Sequence, residues 1–480
     1  MTNTKKTKIV ATLGPAINNR DSLKELMISG VNVFRINFSH ADYDQVTKIV
    51  GIIRELNDEL GFHVSCLADL QGPKLRVGTM EEDVDLAVGD TFIFTTEDLP
   101  LGTKDKAFMT YKNFPSDVNV GEHILVDDGK LLFEVTETDR SKNVTTKVLR
   151  GGPLKSKKGV NLPNTNISLP ALTEKDIKDA IFALSLNVDW IALSFVRNPD
   201  DLGRIHKLIE ENSDTKLYRT RVISKIEKPE ALENIDKIIE NTDGIMVARG
   251  DLGVEIPMSE VPLAQKMIVQ KCKIAKIPVI IATQMMETMI ENQVPTRAEV
   301  NDVANSIMDG ADAVMLSGET SVGKYPNEVI KKMREIIVSV EHSPLIQIPK
   351  KAPFERCSDR YLSQVVCHQS AAMADQIKAK AIITLTHSGY TAVQISALRP
   401  NCHIQVFSSN KRVLSMLNLY WGVKAQAYTN KLSTTDTITE VNALVKQKGI
   451  LEKGDYVINL NSAPSKDIAM VNNLRVTQIK

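Results

Sequence analysis

The chain has no charge of one sign to spare. Its 480 residues carry 59 Lys+Arg against 59 Asp+Glu, so nothing global attracts a nucleic acid or an anionic membrane. Any anion site must be built locally. Cysteine is scarce: Cys66, Cys272, Cys357, Cys367 and Cys402 are scattered, odd in number and form no CxxC pair. That argues against structural zinc or a disulfide framework and fits a reducing compartment. Long apolar runs are missing too; residues 278–282 fall far short of the roughly 20 that a membrane helix needs. The opening MTNTKKTKIVATLGP lacks the apolar core and cleavage site of a signal peptide, which sets the expectation of a cytoplasmic protein.

What is present is length and a repeating pattern. A chain of 480 residues exceeds the size at which one core usually stops growing, so two or three domains are expected. Eight short apolar segments alternate with amphipathic stretches: KIVATLG (8–14), VFRINFS (33–39), VSCLADL (64–70), WIALSFV (190–196), RVISKIE (221–227), GIMVARG (244–250), VIIATQM (279–285) and AVMLSGE (313–319). Each begins apolar and ends in polar residues or glycine, as a buried barrel strand does where it runs out into a ligand-facing loop. The fold class expected is α/β, a (β/α)8 TIM barrel, with an open doubly wound sheet as the alternative. Between these segments a first helix is expected with Asp21 near its start, and Thr173 with Glu174 and Asp176 reads as a capped helix start with Ile177, Ile181 and Leu184 on one face.

Two stretches break the pattern. From 72 to 169, DVDLAVGDTFIFTTED, EHILVDDGKLLFEVTETD and KNVTTKVLRGG alternate with period two, the texture of a small β domain inserted into a barrel loop as a lid. Its Gly- and Pro-containing ends suit a hinge. After a connecting stretch holding several prolines, 346–480 reads as a separate α/β domain with the small-residue loop Thr386-His387-Ser388-Gly389-Tyr390-Thr391 directly after a strand. The barrel is then 1–71 and 170–345.

Strand ends of a barrel converge on one mouth, and these are unusually polar: Arg35, Asn37, Ser39 and His40; Asp69; Lys225 and Glu227; Arg249 and Asp251; Thr283 and Gln284; Ser317 and Glu319. Glu227 and Asp251 are hard oxygen donors on consecutive strands, suited to Mg2+ or Mn2+ completed by substrate oxygens and water. Salt bridges at the barrel rim are the bland alternative. Lys225 shares the parity of Glu227, so both leave the same strand face. Arg35 and Lys225 are placed to meet the charge of a phosphoryl group in transfer. Residues 248–253 let the backbone approach an anion, and Thr283 offers a hydroxyl near by.

Taken together the segments TKIVATLGP, FRINFSHA, GPKLRVG, KKGVNLP, ISKIEKPEA, DGIMVARGDLGVEIP, ATQMMETM and PTRAEVNDVANSIMDGADAVMLSGETSVGKYP resemble the pyruvate kinase family over essentially the full length. The resemblance implies a barrel, an inserted lid and a C-terminal domain in a homotetramer that transfers phosphate from phosphoenolpyruvate to ADP, giving pyruvate and ATP. It assigns Glu227 and Asp251 to the divalent metal and Lys225 to the transferring phosphoryl group and the enolate. Arg35 becomes the phosphate contact, and Gly250, Asp251 and Thr283 the holders of the substrate carboxylate. Thr283, with Ser317, lies near the route that protonates the enolate. His40, Arg76, Asp128 and Lys158 resemble nucleotide-side contacts.

Two departures follow. Members that need K+ bind it with residues matching Asn37, Ser39, Asp69 and the Leu70 carbonyl and carry glutamate in GPE(I/L)R; here the segment is GPKLR, with Lys74. A fixed ammonium fills that electrostatic role and repels K+, so the chain resembles the K+-independent subclass. The alternative is a solvated surface lysine. In the last domain, residues 386–391 resemble the loop that cradles sugar-phosphate effectors, but the glycine-rich partner loop is replaced by NSAPSKDIAMVNNLRV. The other readings are a metal-dependent aldolase or phosphomutase of the barrel type, and a catalytically dead metabolite sensor.

Overall fold

A computed structural model describes residues 5–82, 84–163, 165–212, 218–343, 360–429, 433–462 and 470–480. The eight segments form barrel strands β1 (Lys8–Thr12), β2 (Val33–Asn37), β3 (Ser65–Asp69), β4 (Trp190–Leu193), β5 (Arg221–Ile226), β6 (Gly244–Ala248), β7 (Val279–Ala282) and β8 (Ala313–Leu316). Each pairs in parallel with its sequence neighbours, and β8 returns to β1 through Lys8 opposite Ala313. The barrel is closed, so the open sheet is excluded. Nearly every strand residue is buried because the outer face meets helices and the inner face meets other strands.

Helix starts follow local chemistry. Asn19 caps Arg20–Ser29 by accepting the Ser22 N–H, and Asp21 sits in the first turn, near the start as expected, where the helix dipole favours an acid. Thr173 caps Glu174–Ser185 in a reciprocal box with Asp176. The inward face of that helix differs from expectation: Ala180, Ala183 and Leu184 are buried, whereas Ile181 is 42% exposed. One residue is about 100° of helix, so the small Ala180 takes the inner position and turns Ile181 outward.

The inserted region is mostly β, with one short helix, Phe114–Asp117. Val160–Asn161, His123–Val126, Leu131–Thr138, Asn143–Arg150, Thr91–Thr95 and Lys106–Phe108 lie side by side in that order in a curled sheet around Phe92, Phe94, Phe114 and Phe133. The His123–Val126 and Leu131–Thr138 strands are joined through Asp127, Asp128 and Gly129, all at positive φ, which suits this residue set. Gly72, at the entry to the lid, also has positive φ. A Cβ there would stand 2.7 Å from the Phe195 ring and 2.9 Å from the Ser194 Cβ.

In the C-terminal region β9 (Ala381–Leu385), β10 (His403–Ser408), β11 (Val423–Ala427), β12 (Tyr456–Asn461) and β13 (Asn473–Gln478) form a sheet in the order β11-β10-β9-β12-β13, with only β13 antiparallel. This sheet's core is continuous with the inside of the barrel. Val10, Trp190, Ile223, Met246 and Met315 belong to the same buried cluster as Ile404, Leu417, Leu419 and Trp421. Polar contacts frame it: Arg399 donates to Asp312 (2.9 Å) and to the Gly310 carbonyl (2.9 Å) while its guanidinium lies over Trp421.

Lys8 is buried in this junction and donates to the Val423 carbonyl at 2.6 Å. Desolvation, helped by Lys424, pulls its pKa down to about 7. Between there and its ordinary value of 10.5 the folded protein has released a proton that the unfolded chain keeps, so stability rises with pH across that window. Lys8→Met should flatten the slope of the denaturation midpoint against pH above 7 relative to the parent; an unchanged slope would show that Lys8 stays charged in the fold.

Candidate active site

The C-terminal ends of β2 to β8 bring the expected side chains to one mouth, and Lys225 stands at its centre. Its Nζ donates to Ser194 Oγ (2.7 Å) and lies 3.0 Å from Glu227 Oε1 and 3.3 Å from Asp69 Oδ1. The contact with Glu227 follows from their shared strand parity. Lys225 is 12% exposed and Glu227 1%. Burial works against the ammonium, but the carboxylates of Asp69 and Glu227 outweigh it and hold the Lys225 pKa above its ordinary value. Lys225 is therefore a fixed positive charge at neutral pH. Glu227 is raised by burial and by the charge of Asp251, against the pull of Lys225. The Phe195 N–H steadies it, donating to Oε2 at 2.8 Å.

Arg35 lies beside this pair. Its Nε donates to Asp69 Oδ2 (2.6 Å) and Nη1 to Thr12 Oγ1 (3.1 Å). Asp69 is desolvated, yet Lys225 and Arg35 together bring its pKa below the usual value. Its Oδ1 feels the charge of Lys225 without hydrogen-bond geometry, so one buried oxygen remains unsatisfied. Asp69 thus serves as the common counter-ion of the two cations. In the expected cation region, the Leu70 carbonyl accepts from Ser194 Oγ (2.7 Å) and Asn37 Oδ1 from the Ser39 N–H (3.1 Å). Lys74 is exposed at the wall of a cleft beneath the lid.

Asp251 opens the helix Arg249–Glu255 directly after β6. The Gly250 N–H donates to Thr283 Oγ1 (2.7 Å), whose own hydroxyl donates to the Ala282 carbonyl (2.6 Å). A carboxylate held by these groups must displace the first of those bonds. A Cβ at residue 250 would lie 3.3 Å from the same hydroxyl oxygen. Thr283, Gln284 and Phe195 all have positive φ, an uncommon backbone for such residues and concentrated here at the mouth. Ser317 sits at the start of the short helix Gly318–Ser321; its N–H donates to Glu319 Oε2 (2.7 Å), a carboxyl whose pKa burial raises.

The cleft under the lid encloses about 660 Å3, counting its open mouth, and Asp128 faces Asp251, Lys74 and Arg197 around it. Lys158 pairs instead with Asp127 (2.8 Å), and Arg76 Nη1 donates to the Lys157 carbonyl (2.8 Å), so both cations are engaged within the insert. His40 is exposed at the end of β2 and does not line that cleft. In the last domain, Thr386 Oγ1 accepts from the Gly389 N–H (2.9 Å) and His387 pairs with the Tyr218 hydroxyl (2.5 Å). Ser388 is half-buried, while Tyr390 and Thr391 begin a helix. Residues 463–469, which hold most of the glycine-poor partner loop, lie outside the described residues.

Several participants carry no chemical signature in the sequence. Ser194 and the Phe195 N–H are visible only once β4 lies beside β5. Asp302 is another: it holds Arg249 through two bonds of 2.7 Å while Arg249 also donates to the Thr283 carbonyl (2.8 Å). Arg249 is therefore committed to shaping the Thr283 turn.

Among the described residues no three His, Cys, Asp or Glu side chains gather to hold a metal. Two carboxylates, Glu227 raised by burial and further by the charge of Asp251, fit an ion that takes its remaining ligands from substrate and water, as Mg2+ does. Fold and site together define a phosphoryl-transfer barrel enzyme. Residues 4–330 match the family model for the pyruvate kinase barrel domain and 364–477 that for its alpha/beta domain. The chain is 42% identical to a pyruvate kinase of Bacillus licheniformis, over 95% of this chain and 77% of that protein. It is 40% identical to one of Corynebacterium glutamicum, over 98% and 97%. A crystal structure of a pyruvate kinase from Cryptosporidium parvum superposes with a TM-score of 0.91 at 34% identity, covering 99% of this chain and 96% of that one.

The chain belongs to the pyruvate kinase family. Its reaction is the transfer of the phosphoryl group of phosphoenolpyruvate to ADP, giving pyruvate and ATP. The family uses Mg2+ or Mn2+.

Asp302→Asn, which removes the charge that holds Arg249, should lower kcat/KM about tenfold by loosening the Thr283 turn. Steady-state kinetics with phosphoenolpyruvate as the varied substrate measures it; parent-like values would mean that the turn holds itself.

Proposed function

We propose that the transfer runs across the end of β5, with Lys225 as the group that meets the moving phosphoryl charge. The observation that carries this is the buried ammonium held by Ser194, Glu227 and Asp69, already oriented and already charged. A donor fixed beforehand loses nothing to reorganisation as charge shifts from the enol oxygen to the phosphoryl oxygens and back to the enolate. Arg35 Nη2, without a hydrogen-bond partner among the described residues, takes a phosphate oxygen. Glu227 and Asp251 hold Mg2+ or Mn2+. When bound, the ion polarises substrate oxygens and offsets their negative charge.

The Gly250 and Asp251 N–H groups and the Thr283 hydroxyl hold the substrate carboxylate, the Gly250 to Thr283 bond opening to admit it. After transfer, Thr283 and Ser317 deliver the proton that converts enolate to pyruvate. His40, Arg76, Asp128 and Lys158 serve the ADP side, with Asp128 already at the cleft, His40 on the barrel rim, and Arg76 and Lys158 brought in as the lid, residues 72–169, closes on the hinge. Closure excludes the water that competes with ADP.

Lys74 replaces K+, and its exposed position on the cleft wall leaves it free to turn toward the site. Activity is therefore expected to change little when K+ is exchanged for a large organic cation at equal ionic strength; a many-fold drop would refute the substitution. The loop Thr386–Thr391 takes a sugar-phosphate effector, and the chain acts as a homotetramer in the cytoplasm, without nucleic-acid or membrane partners. No helix among the described residues is long and apolar enough to cross a membrane.

The deciding experiment follows pyruvate by its reduction in a coupled assay, with and without ADP. Pyruvate should form only with ADP and divalent metal, and Lys225→Met should lose at least roughly a thousandfold in kcat with an unchanged circular dichroism spectrum. Near-normal turnover of that variant would remove Lys225 from the mechanism.

A further inference from the structure

Lid and barrel meet through a side-chain cluster that the transfer itself does not use. Glu255 closes the helix Arg249–Glu255, whose first turn carries Asp251, and its side chain is 1% exposed. One carboxylate oxygen, Oε1, takes two donors: Lys228 Nζ from the loop after β5 (2.7 Å) and the side-chain amide of Asn161 from the lid (2.8 Å). Oε2 is buried and has no hydrogen-bond partner among the described residues. A carboxylate so desolvated depends on each donor it has. The turn at Gly129 brings the lid against the same helix, where an added Cβ would stand 3.9 Å from Val254 Cγ1.

Within the lid, Asn161 occupies a central place. It lies opposite Leu125, and Val160 opposite Val126, where the strand His123–Val126 runs into the turn of Asp127 and Asp128. The Asp127 N–H donates to the Gly159 carbonyl (3.0 Å). On the other side the Val160 N–H donates to the Leu75 carbonyl (3.0 Å) and the Val77 N–H to the Lys158 carbonyl (2.9 Å), with Arg76 opposite Gly159. Arg76, Asp128 and Lys158 therefore sit within a few residues of Asn161 on backbone-paired segments. Whatever fixes Asn161 fixes all three relative to the barrel.

We propose that Glu255 is a positioning residue for the ADP half of the reaction: held by Lys228, it anchors the lid through Asn161 and so registers Arg76, Asp128 and Lys158 against Asp251. The proposal rests on the nucleotide-side reading of those three lid residues and adds the contact that sets their place over the barrel. The bond stands while Lys158 and Arg76 are still engaged within the insert, so it is the pivot of lid closure and not a product of it. One short helix thus serves both domains, with Gly250 and Asp251 toward the substrate and Glu255 toward the lid. Lys228 keeps the buried carboxylate charged, and a charged acceptor holds the Asn161 amide more firmly than a neutral one.

The test uses the full-length enzyme and the variants Asn161→Ala, Glu255→Gln, their combination, and Lys158→Met. Each is measured for the KM of ADP at saturating phosphoenolpyruvate and Mg2+, and for calorimetric binding of oxalate, a planar dicarboxylate that stands in for the enolate, with Mg2+ and without ADP. Asn161→Ala should raise the KM of ADP roughly tenfold, as loss of a hydrogen bond to a charged group does, and should change oxalate affinity less than about twofold. In the Glu255→Gln background the same replacement should raise it no more than about threefold, because the charge-assisted bond is already gone. An undiminished rise there would mean that Asn161 acts on the nucleotide directly and would overturn the role of Glu255. A parent-like KM for Asn161→Ala beside a raised one for Lys158→Met would overturn the anchor and leave the nucleotide-side reading standing; parent-like values for both would overturn both. Equal losses of ADP and oxalate binding would reduce the contact to a general support of the fold and overturn the proposal.

Discussion

Everything at the mouth depends on keeping Lys225 charged where water is nearly absent. An ammonium in that position is costly unless carboxylates face it; Glu227 does so from the same strand end and Asp69 from the end of β3. Each contact constrains another group: Asp69 must also hold Arg35, and Glu227 must take the Phe195 N–H. The four charged side chains are thus fixed by one another and by the register of the barrel strands. That register places Asn37 opposite Asp69 and Ala192 opposite Ile223. A slip of one residue would turn Lys225 and Glu227 to the outer face and leave Asp69 and Arg35 without their partners.

The backbone accommodates the same demand. Phe195 and Thr283 adopt positive φ at the ends of β4 and β7, which turns the Phe195 N–H toward Glu227 and the Thr283 hydroxyl toward Gly250. Such conformations persist only where the surroundings hold them. Here Gly72 leaves room for the Phe195 ring, and Arg249, locked by Asp302, holds the Thr283 carbonyl. Because Gly72 is also the first residue of the expected lid insert, the lid's entry and the strained turn beside Lys225 occupy the same few ångströms.

The barrel was legible in the sequence because eight buried strands leave eight apolar runs, each closed by polar residues, and the polar tips named the central site side chains directly. What escaped was whatever depends on neighbours in space. Ser194 reads as an ordinary strand-end serine until β4 meets β5, and the pairing of Lys158 with Asp127 shows only once the hairpin turn is in place. Ile181 keeps the helical spacing of Ile177 and Leu184 yet is exposed, because the buried stripe is centred on Ala180, Ala183 and Leu184. Nothing in the local pattern announced that the barrel interior and the C-terminal core are one hydrophobic body, since Trp190 meets Tyr420 across 230 residues of sequence.

That shared core bears on how the ends of the barrel communicate. A barrel plugged at its base only by its own side chains could exchange one set of packing contacts for another without affecting a second domain. Here Tyr420 and Trp421 fill the base, while Arg399, Asp312 and Lys8 supply directional contacts that do not tolerate sliding. Dense, directional junctions respond by switching between discrete arrangements instead of deforming smoothly. The short strands between junction and mouth are rigid, with β5 spanning only Arg221 to Ile226. A change at the base therefore has one direct physical path to Lys225: the displacement of the strand itself.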